Sequence, residues 1–315
     1  IAGMMDYLGD DYTTYLDDES TSELFNSLSG EYEGIGVSIS NADKSIVKVY
    51  NDTPASRVGI QVGDIIVGFN DTDVTNMTAT EVVNLIKKST DTFILKLKRG
   101  DGVISVSLKN ETLIAPNVDY YMVEGSTIGY LKIETFSNTL ATQVKNALSE
   151  LENQGMTSLI IDLRNNTGGY LTAATDVASI FLNKGDKIFS LEYQNELTDY
   201  KDETKESKDY PIAVLINGNS ASASEILAAA LKESYGATTV GETSFGKGKV
   251  QQTMQLDDGS MVKYTSSYWL TPNGTCIDEI GIAPDYYVTN KEQTDEFGNT
   301  VVVDDQLNKA IEILK

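Results

Sequence analysis

Two segments carry residues whose types and spacing can do chemistry. The first is Ser220-Ala221-Ser222-Ala223-Ser224-Glu225, and the second is Phe245-Gly246-Lys247-Gly248-Lys249-Val250-Gln251-Gln252. The apolar run Ile212–Ile216 precedes the serines and the helix-forming run Ile226–Lys232 follows them. The serines therefore sit at a strand-to-helix corner, where the first backbone N–H groups of a helix lack intrahelical partners. Lys247 lies between glycines, so its loop can approach a neighbouring element closely. The 315 residues include no histidine. An activated serine in this chain must use a base other than imidazole, and a neutral lysine is the natural candidate. The residues alone also allow Ser222 to be the N-cap of a capping box closed by Glu225, and Lys249 to be the base in place of Lys247.

Around these segments the pattern changes twice. Residues 1–30 read as short helical pieces with an acidic, Ser/Thr-rich turn at 17–22. From Glu31 short strands are expected at 37–39, 46–49, 65–69, 93–98 and 103–108. A short helix opens at Thr53-Pro54, and an amphipathic helix begins near Thr80 with Val82, Val83, Leu85 and Ile86 apolar. These form one domain, 31–112. Residues 113–315 alternate strands (128–133, 158–163, 212–216, 238–240, 261–268, 301–303) with helices (139–154, 173–182, 224–233, 306–314) around an acidic hairpin or loop at 192–210. That alternation indicates an α/β core.

Composition removes several classes of function. A net charge of −23 disfavours nucleic acid, which is bound through clustered Lys and Arg, and disfavours an anionic membrane surface. The single cysteine, Cys276, excludes an intramolecular disulfide and a multi-thiolate zinc site; it is expected to be a packing residue. Acidic pairs such as Asp10-Asp11, Asp17-Asp18 and Asp304-Asp305 sit in no calcium loop and are expected to be solvated surface. No metal ligand set and no cofactor are expected. The sequence starts at Ile1 without an initiator Met, so the expectation is a mature or excised piece of a parent chain.

The order Gly34-Ile35-Gly36-Val37, Thr53-Pro54-Ala55-Ser56, Val62-Gly63-Asp64, Ile65–Phe69 and a helix resembles a PDZ domain of the bacterial protease type. The resemblance implies that the amides of Gly34, Ile35, Gly36 and Val37 hold a peptide carboxylate. The peptide would add as a strand beside 37–39, and the helix near 80–87 would form the other wall.

With that domain, four ordered motifs resemble the carboxyl-terminal processing (tail-specific) serine proteases. They are Asp162-Leu163-Arg164-Asn165-Asn166-Thr167-Gly168-Gly169, Ser220–Glu225, Gly241–Gly248 and Gly281-Ile282-Ala283-Pro284-Asp285. Thr167 departs from the family, which usually has Pro or Gly there.

The resemblance implies a crotonase-like α/β protease core with an inserted PDZ domain, Ser222 as nucleophile and Lys247 as base. Gln251, one helical turn beyond, would support the lysine. Burial would lower the Lys247 pKa enough to make it a base, and the amides of Ala223 and of Gly168, or else Gly169, would hold the oxyanion.

The implied partners are proteins or peptides with unstructured apolar C-termini. The implied location is extracytoplasmic, in a bacterial cell envelope or secreted. A homodimer and a membrane anchor in the parent chain are compatible with the resemblance. The rival reading is a catalytically silent PDZ scaffold that binds peptides without cutting them.

Overall fold

A computed structural model of the chain describes residues 2–205, 207–294 and 300–315. The expected segments 1–30, 192–210 and 113–315 thus include residues outside that description. The chain divides into two compact units, Ile1–Gly30 with Pro116–Lys315, and Glu31–Ala115.

In the smaller unit Phe93–Arg99 pairs with Ile65–Phe69 on one side and Gly102–Leu108 on the other. Alternate residues of this central strand, Phe93, Leu95 and Leu97, are fully buried with Ile46, Ile66, Val82 and Ile86, as the two-residue period of a half-covered sheet requires. The helix Ala79–Lys88 begins at a capping box, with Thr78 and Glu81 satisfying each other's amides. The unit runs past residue 112 because Glu111–Ile114 pairs with Glu31–Gly34. That pairing joins the two ends of the domain and has no local signature.

The larger unit is built on a six-stranded sheet. Val118–Met122 is an antiparallel edge strand beside Ile128–Ile133. Next in order come Ser158–Asp162, Ile212–Ile216, Thr238–Gly241 and Tyr286–Tyr287, all parallel. Every residue of Ser158–Asp162 and Ile212–Ile216 is buried. Val214 and Ile216 face a core shared with the helices Leu140–Asn153, Leu171–Ala178 and Ala223–Ala230. Ala213 and Leu215 face the opposite core, under the C-terminal helix Asp305–Leu314. Helices thus cover both faces of the sheet, as a continuous apolar strand demands. A second sheet contains Thr14–Leu16, Met261–Leu270, Lys187–Tyr193, Glu196–Lys201 and Lys249–Gln255.

Several expectations change. Residues 17–22 are no turn: Asp17 accepts from Ser20 N at 2.8 Å and caps the helix Asp18–Ser29. Thr14–Leu16 is a strand, ordered by pairing with Leu16↔Met261 to Thr14↔Lys263 across most of the chain's length. The helix expected at 173–182 is Leu171–Ala178. Cys276 is exposed and does not pack. Lys249–Gln255 is a strand, with a bulge between Val250 and Gln251, so Gln251 does not stand one helical turn from Lys247. Among the described residues no helix is long and apolar enough to cross a membrane.

Candidate active site

Three neighbouring parallel strands deliver the chemistry-bearing loops to one end of the sheet. Ser158–Asp162 runs into the loop of Asn165–Gly169, Ile212–Ile216 into the serine corner, and Thr238–Gly241 into the loop that carries Lys247. Loops at the carboxyl ends of parallel strands are where open α/β sheets place their sites.

The alternation of small residues and serines at 220–224 has a physical basis. Ser220 and Ser224 are fully buried. Ser220 Oγ donates to Leu163 O and Ser224 Oγ to Asn166 O, each at 2.8 Å, and Ala221 N donates to Asn166 O at 3.0 Å. These bonds stitch the serine corner to the 163–166 loop, and Asn217 and Asn219 add bonds of 3.0 Å to Asn165 Oδ1. Ser222, between the two anchors, lines the open cavity instead. Its backbone has φ 59° and ψ −117°, a conformation that costs a non-glycine residue about 1–3 kcal/mol. A sharp strand-to-helix turn of this kind exposes a nucleophilic serine.

The capping-box arrangement of Ser222 and Glu225 is present, but without a hydrogen bond to the cap side chain. Glu225 Oε2 accepts from Ser222 N at 2.8 Å. The Ser222 hydroxyl stands near the Glu225 amide as in a capping box, yet that amide's hydrogen bond goes to Ser222 O at 2.8 Å. The hydroxyl is not committed to capping.

Glu225 does more than its place in the sequence suggests. Its fully buried carboxylate also accepts from Lys247 N at 2.9 Å, Gly246 N at 2.7 Å and Ser244 Oγ at 2.6 Å. One carboxylate therefore holds the Ser222 amide and the Lys247 loop together. Trp269 Nε1 donates to Lys247 O at 2.8 Å and fixes the lysine backbone from the other side. The glycines beside the lysine permit a close approach: a Cβ on Gly246 would lie 2.9 Å from Gly281 N, and one on Gly248 would lie 2.6 Å from Asp278 Cβ. The Gly281–Asp285 motif buttresses this loop, with Ile282 N donating to Ser244 Oγ at 2.7 Å.

The two lysines are shifted in opposite directions, for a clear reason. Burial pushes the Lys247 pKa down, Lys263 pushes the same way, and Glu225 opposes both. For Lys249, burial also pulls downward but is outweighed, because Asp278, Tyr268, Asp10 and Glu279 together hold its pKa up. Its ammonium lies 3.7 Å from Asp10 and 4.0 Å from Asp278. Lys247 is the one suited to lose its proton. In this structure its ammonium rests 4.7 Å from the centre of the Tyr12 ring.

Ser222, Lys247 and Gln251 line the same cavity of about 720 Å³, whose walls include Leu24, Leu28, Ile226, Val250 and Trp269. The Gln251 side chain donates to Lys249 O at 3.0 Å, within its own strand, and not to Lys247. The bulge next to it resets the alternation that spacing would assume.

The expected oxyanion donors divide. Ala223 N has no hydrogen-bond partner among the described residues and opens its helix beside Ser222. The Gly168 amide is engaged, donating to Asn166 Oδ1 at 2.8 Å. The Gly169 amide has no partner among the described residues, and Gly169 lines the cavity. Gly169, the alternative at the sequence level, is the better placed donor.

Gly168 has a steric role. Its φ is 105°, and a Cβ there would lie 2.8 Å from Ala221 O and 3.0 Å from Ser222 Cβ. Gly168→Ala should therefore displace the serine corner and lower kcat by roughly 10²-fold with KM little changed. Wild-type kcat in that variant would contradict the close fit.

In the smaller unit a groove of about 70 Å³ is lined by Gly34, Ile35, Gly36 and Val37 together with Ile39 and, from the helix, Val83, Ile86 and Lys87. Val37–Ile39 pairs only with Ile46–Val49 among the described strands, so its other edge is open. Here the structure brings together all four residues singled out from the sequence.

Residues 127–288 match the model of peptidase family S41, and residues 24–106 match that of the PDZ domain. The chain is 38% identical over 289 residues to "Carboxy-terminal processing protease CtpA" of Bacillus subtilis, covering 90% of this chain and 62% of the relative. It is 35% identical over 295 residues to "Probable CtpA-like serine protease" of Staphylococcus epidermidis, covering 92% and 60%. It thus spans about three fifths of the length of those relatives. Among solved structures, "Photosystem II D1 C-terminal processing protease" matches with a TM-score of 0.56 at 27% identity over 91% of this chain and 80% of that one. A putative S41 protease from Bacteroides fragilis shares the fold alone, with a TM-score of 0.55 at 16% identity over 98% and 87%.

Proposed function

The chain belongs to peptidase family S41, and from that premise we propose that it is a serine endopeptidase with a Ser222–Lys247 dyad. Its PDZ domain captures unstructured C-terminal tails of the proteins it cuts. The observation that carries the reading is the shared cavity. A strained Ser222 whose hydroxyl makes no cap hydrogen bond and a lysine whose burial favours the neutral form open onto one space, next to the amides of Ala223 and Gly169, which have no partner among the described residues.

Neutral Lys247 takes the Ser222 Oγ proton as the oxygen attacks the scissile carbonyl. The amides of Ala223 and Gly169 hold the developing oxyanion; such donors are worth about 3 kcal/mol each in the transition state. The Lys247 ammonium then protonates the leaving amine. A water that gives its proton to Lys247 hydrolyses the acyl-enzyme, and Ser222 recovers its proton from the lysine. Gln251 supports Lys247 through its amide oxygen, the nitrogen being engaged with Lys249 O. The core is proposed to be of the crotonase type, a reading supported by the helix-covered parallel sheet with its site at the strand ends.

The relatives bear protease names, and the intact serine and lysine favour this reading over a silent scaffold. By the same kinship the location is proposed to be extracytoplasmic. The substrates are proposed to be proteins with apolar C-termini, because the PDZ groove combines an apolar wall (Val83, Ile86) with a glycine loop and an open strand edge. A homodimer and a membrane anchor in the parent chain stay proposals by kinship alone.

Capture is tested with a peptide ending in an apolar residue. The free carboxylate form should bind at least about tenfold more tightly than its C-terminal amide, because a charge-assisted contact is worth about 1.5–3 kcal/mol. Val83→Lys should weaken both. Equal affinity of the carboxylate and the amide would remove carboxylate capture from the proposal.

A further inference from the structure

We infer that Tyr12 is a positioning residue for the general base: its ring is a resting perch for the Lys247 ammonium, vacated when the side chain turns neutral and reaches Ser222. The inference rests on the Ser222–Lys247 reading and adds a component from the N-terminal segment, which none of the catalytic motifs contains.

The geometry fixes the ring and leaves the lysine tip without a polar anchor among the described residues. Asp10 accepts from Thr13 Oγ1 at 2.5 Å and from Thr265 Oγ1 at 2.7 Å, and Thr265 N donates to Thr13 Oγ1 at 3.2 Å. Immediately beyond, Thr14–Leu16 is paired along Met261–Lys263. Tyr12 therefore hangs from a segment sewn to the second sheet, half-buried, with Lys247 Nζ 4.7 Å from its ring centre. Lys249 Nζ is 5.7 Å from the same ring, but its ion pairs with Asp10 and Asp278 hold it in place. Lys247 has no ion pair or side-chain hydrogen bond among the described residues, so its Nζ is free to leave.

An aromatic face attracts an ammonium and has no such attraction for a neutral amine. The ring therefore favours the protonated lysine, which among the described residues makes no hydrogen bond to Ser222. Burial acts in the opposite sense, as does Lys263 on the neighbouring strand, while Glu225 on the serine helix acts with the ring. Asp278, Asp11 and Lys249 complete the charges that act on Tyr12. The balance sets the pH at which the base leaves its perch, and the Tyr12 ring can be changed without altering charge.

The test is a carbon-13 titration of the lysine side chains in the full chain. The Lys247 resonance is assigned by its loss in Lys247→Met, and labelling of Ser222 by a fluorophosphonate is followed in parallel. Tyr12→Phe keeps the ring and should titrate close to wild type. Tyr12→Leu should lower the Lys247 midpoint by roughly half to one and a half pH units, and the acid limb of Ser222 labelling should move with it. Phenylalanines carrying one, two and three ring fluorines at position 12 keep the shape while weakening the face, so they test the perch even if Tyr12→Leu misfolds. Their midpoints should fall in that order. Midpoints that stay the same through the fluorine series, or rise, would overturn the perch. Undiminished Ser222 labelling in Lys247→Met would instead overturn the dyad, and the titration would still judge whether Tyr12 holds the ammonium.

Discussion

Lys247→Met is expected to lower cleavage of an unfolded protein by roughly 10²–10⁴-fold, the usual contribution of a positioned base, without unfolding the chain. Partial burial, and Lys263 after it, lower the Lys247 pKa, so protonated Lys247 is a cost to the folded state. Sign follows from proton counts. The folded state binds fewer protons than the unfolded one between the lowered folded pKa and the ordinary lysine value, so wild-type stability rises with pH through that window. Methionine removes this cost, and the variant should melt at or above the wild-type temperature near neutral pH, with the gap narrowing as pH rises. Wild-type activity should rise with pH through the same lowered pKa, because only the neutral amine can accept the Ser222 proton. Ser222→Ala should lose activity to the same floor. Cleavage that survives Ser222→Ala would overturn the central assignment, and an activity profile that falls as pH rises would remove Lys247 as the base.

Glu225 should give the other large effect, and on both stability and catalysis. Its carboxylate receives Ser222 N, Lys247 N, Gly246 N and Ser244 Oγ, with no solvent contact to replace them. Glu225→Ala strands these buried donors at about 1–3 kcal/mol for each left unsatisfied, enough to unfold the site or the whole unit. Glu225→Gln is the sharper experiment. The amide keeps the volume, but its NH₂ must face donors where the carboxylate had an acceptor. The serine corner and the lysine loop should then separate slightly, and kcat should fall by on the order of 10²-fold while peptide binding to the PDZ domain is unchanged. Thermal melting together with the kcat and KM split checks this. A Glu225→Gln enzyme with wild-type kcat would mean that the two loops hold their places without the carboxylate.

Legibility in the sequence followed the range of the interactions. The PDZ strands and the helix Ala79–Lys88 were readable because strand alternation and the helical spacing of Val82, Val83, Leu85 and Ile86 are local. The same holds for Ser158–Asp162 and Ile212–Ile216, whose unbroken apolar runs announce strands covered on both faces. Thr14–Leu16 and Glu111–Ile114 were not readable, since each is a strand only through a partner far along the chain. Glu225 was visible as a helix-capping residue, but three of its four donors come from the loop at 244–247, which spacing does not place beside it. Tyr12 carried no signal at all, because its role depends on where the pairing of Thr14–Leu16 hangs the ring.

What the sequence determined by itself is the set of chemical options. Without histidine an activated serine needed another base, and the resemblance carried by the ordered motifs implied Ser222 and Lys247 for the dyad and Gly34–Val37 for a peptide carboxylate. Tertiary structure decided among the options the sequence left open. It tied Lys249 to Asp10 and Asp278 while leaving Lys247 half-buried and without an ion pair among the described residues. It engaged the Gly168 amide and left that of Gly169 open to the cavity, and a bulge turned Gln251 back onto its own strand. The physical reason is common to all of these. Protonation and hydrogen-bond capacity depend on burial and on partners, and the partners here come from segments that only the folded chain brings together.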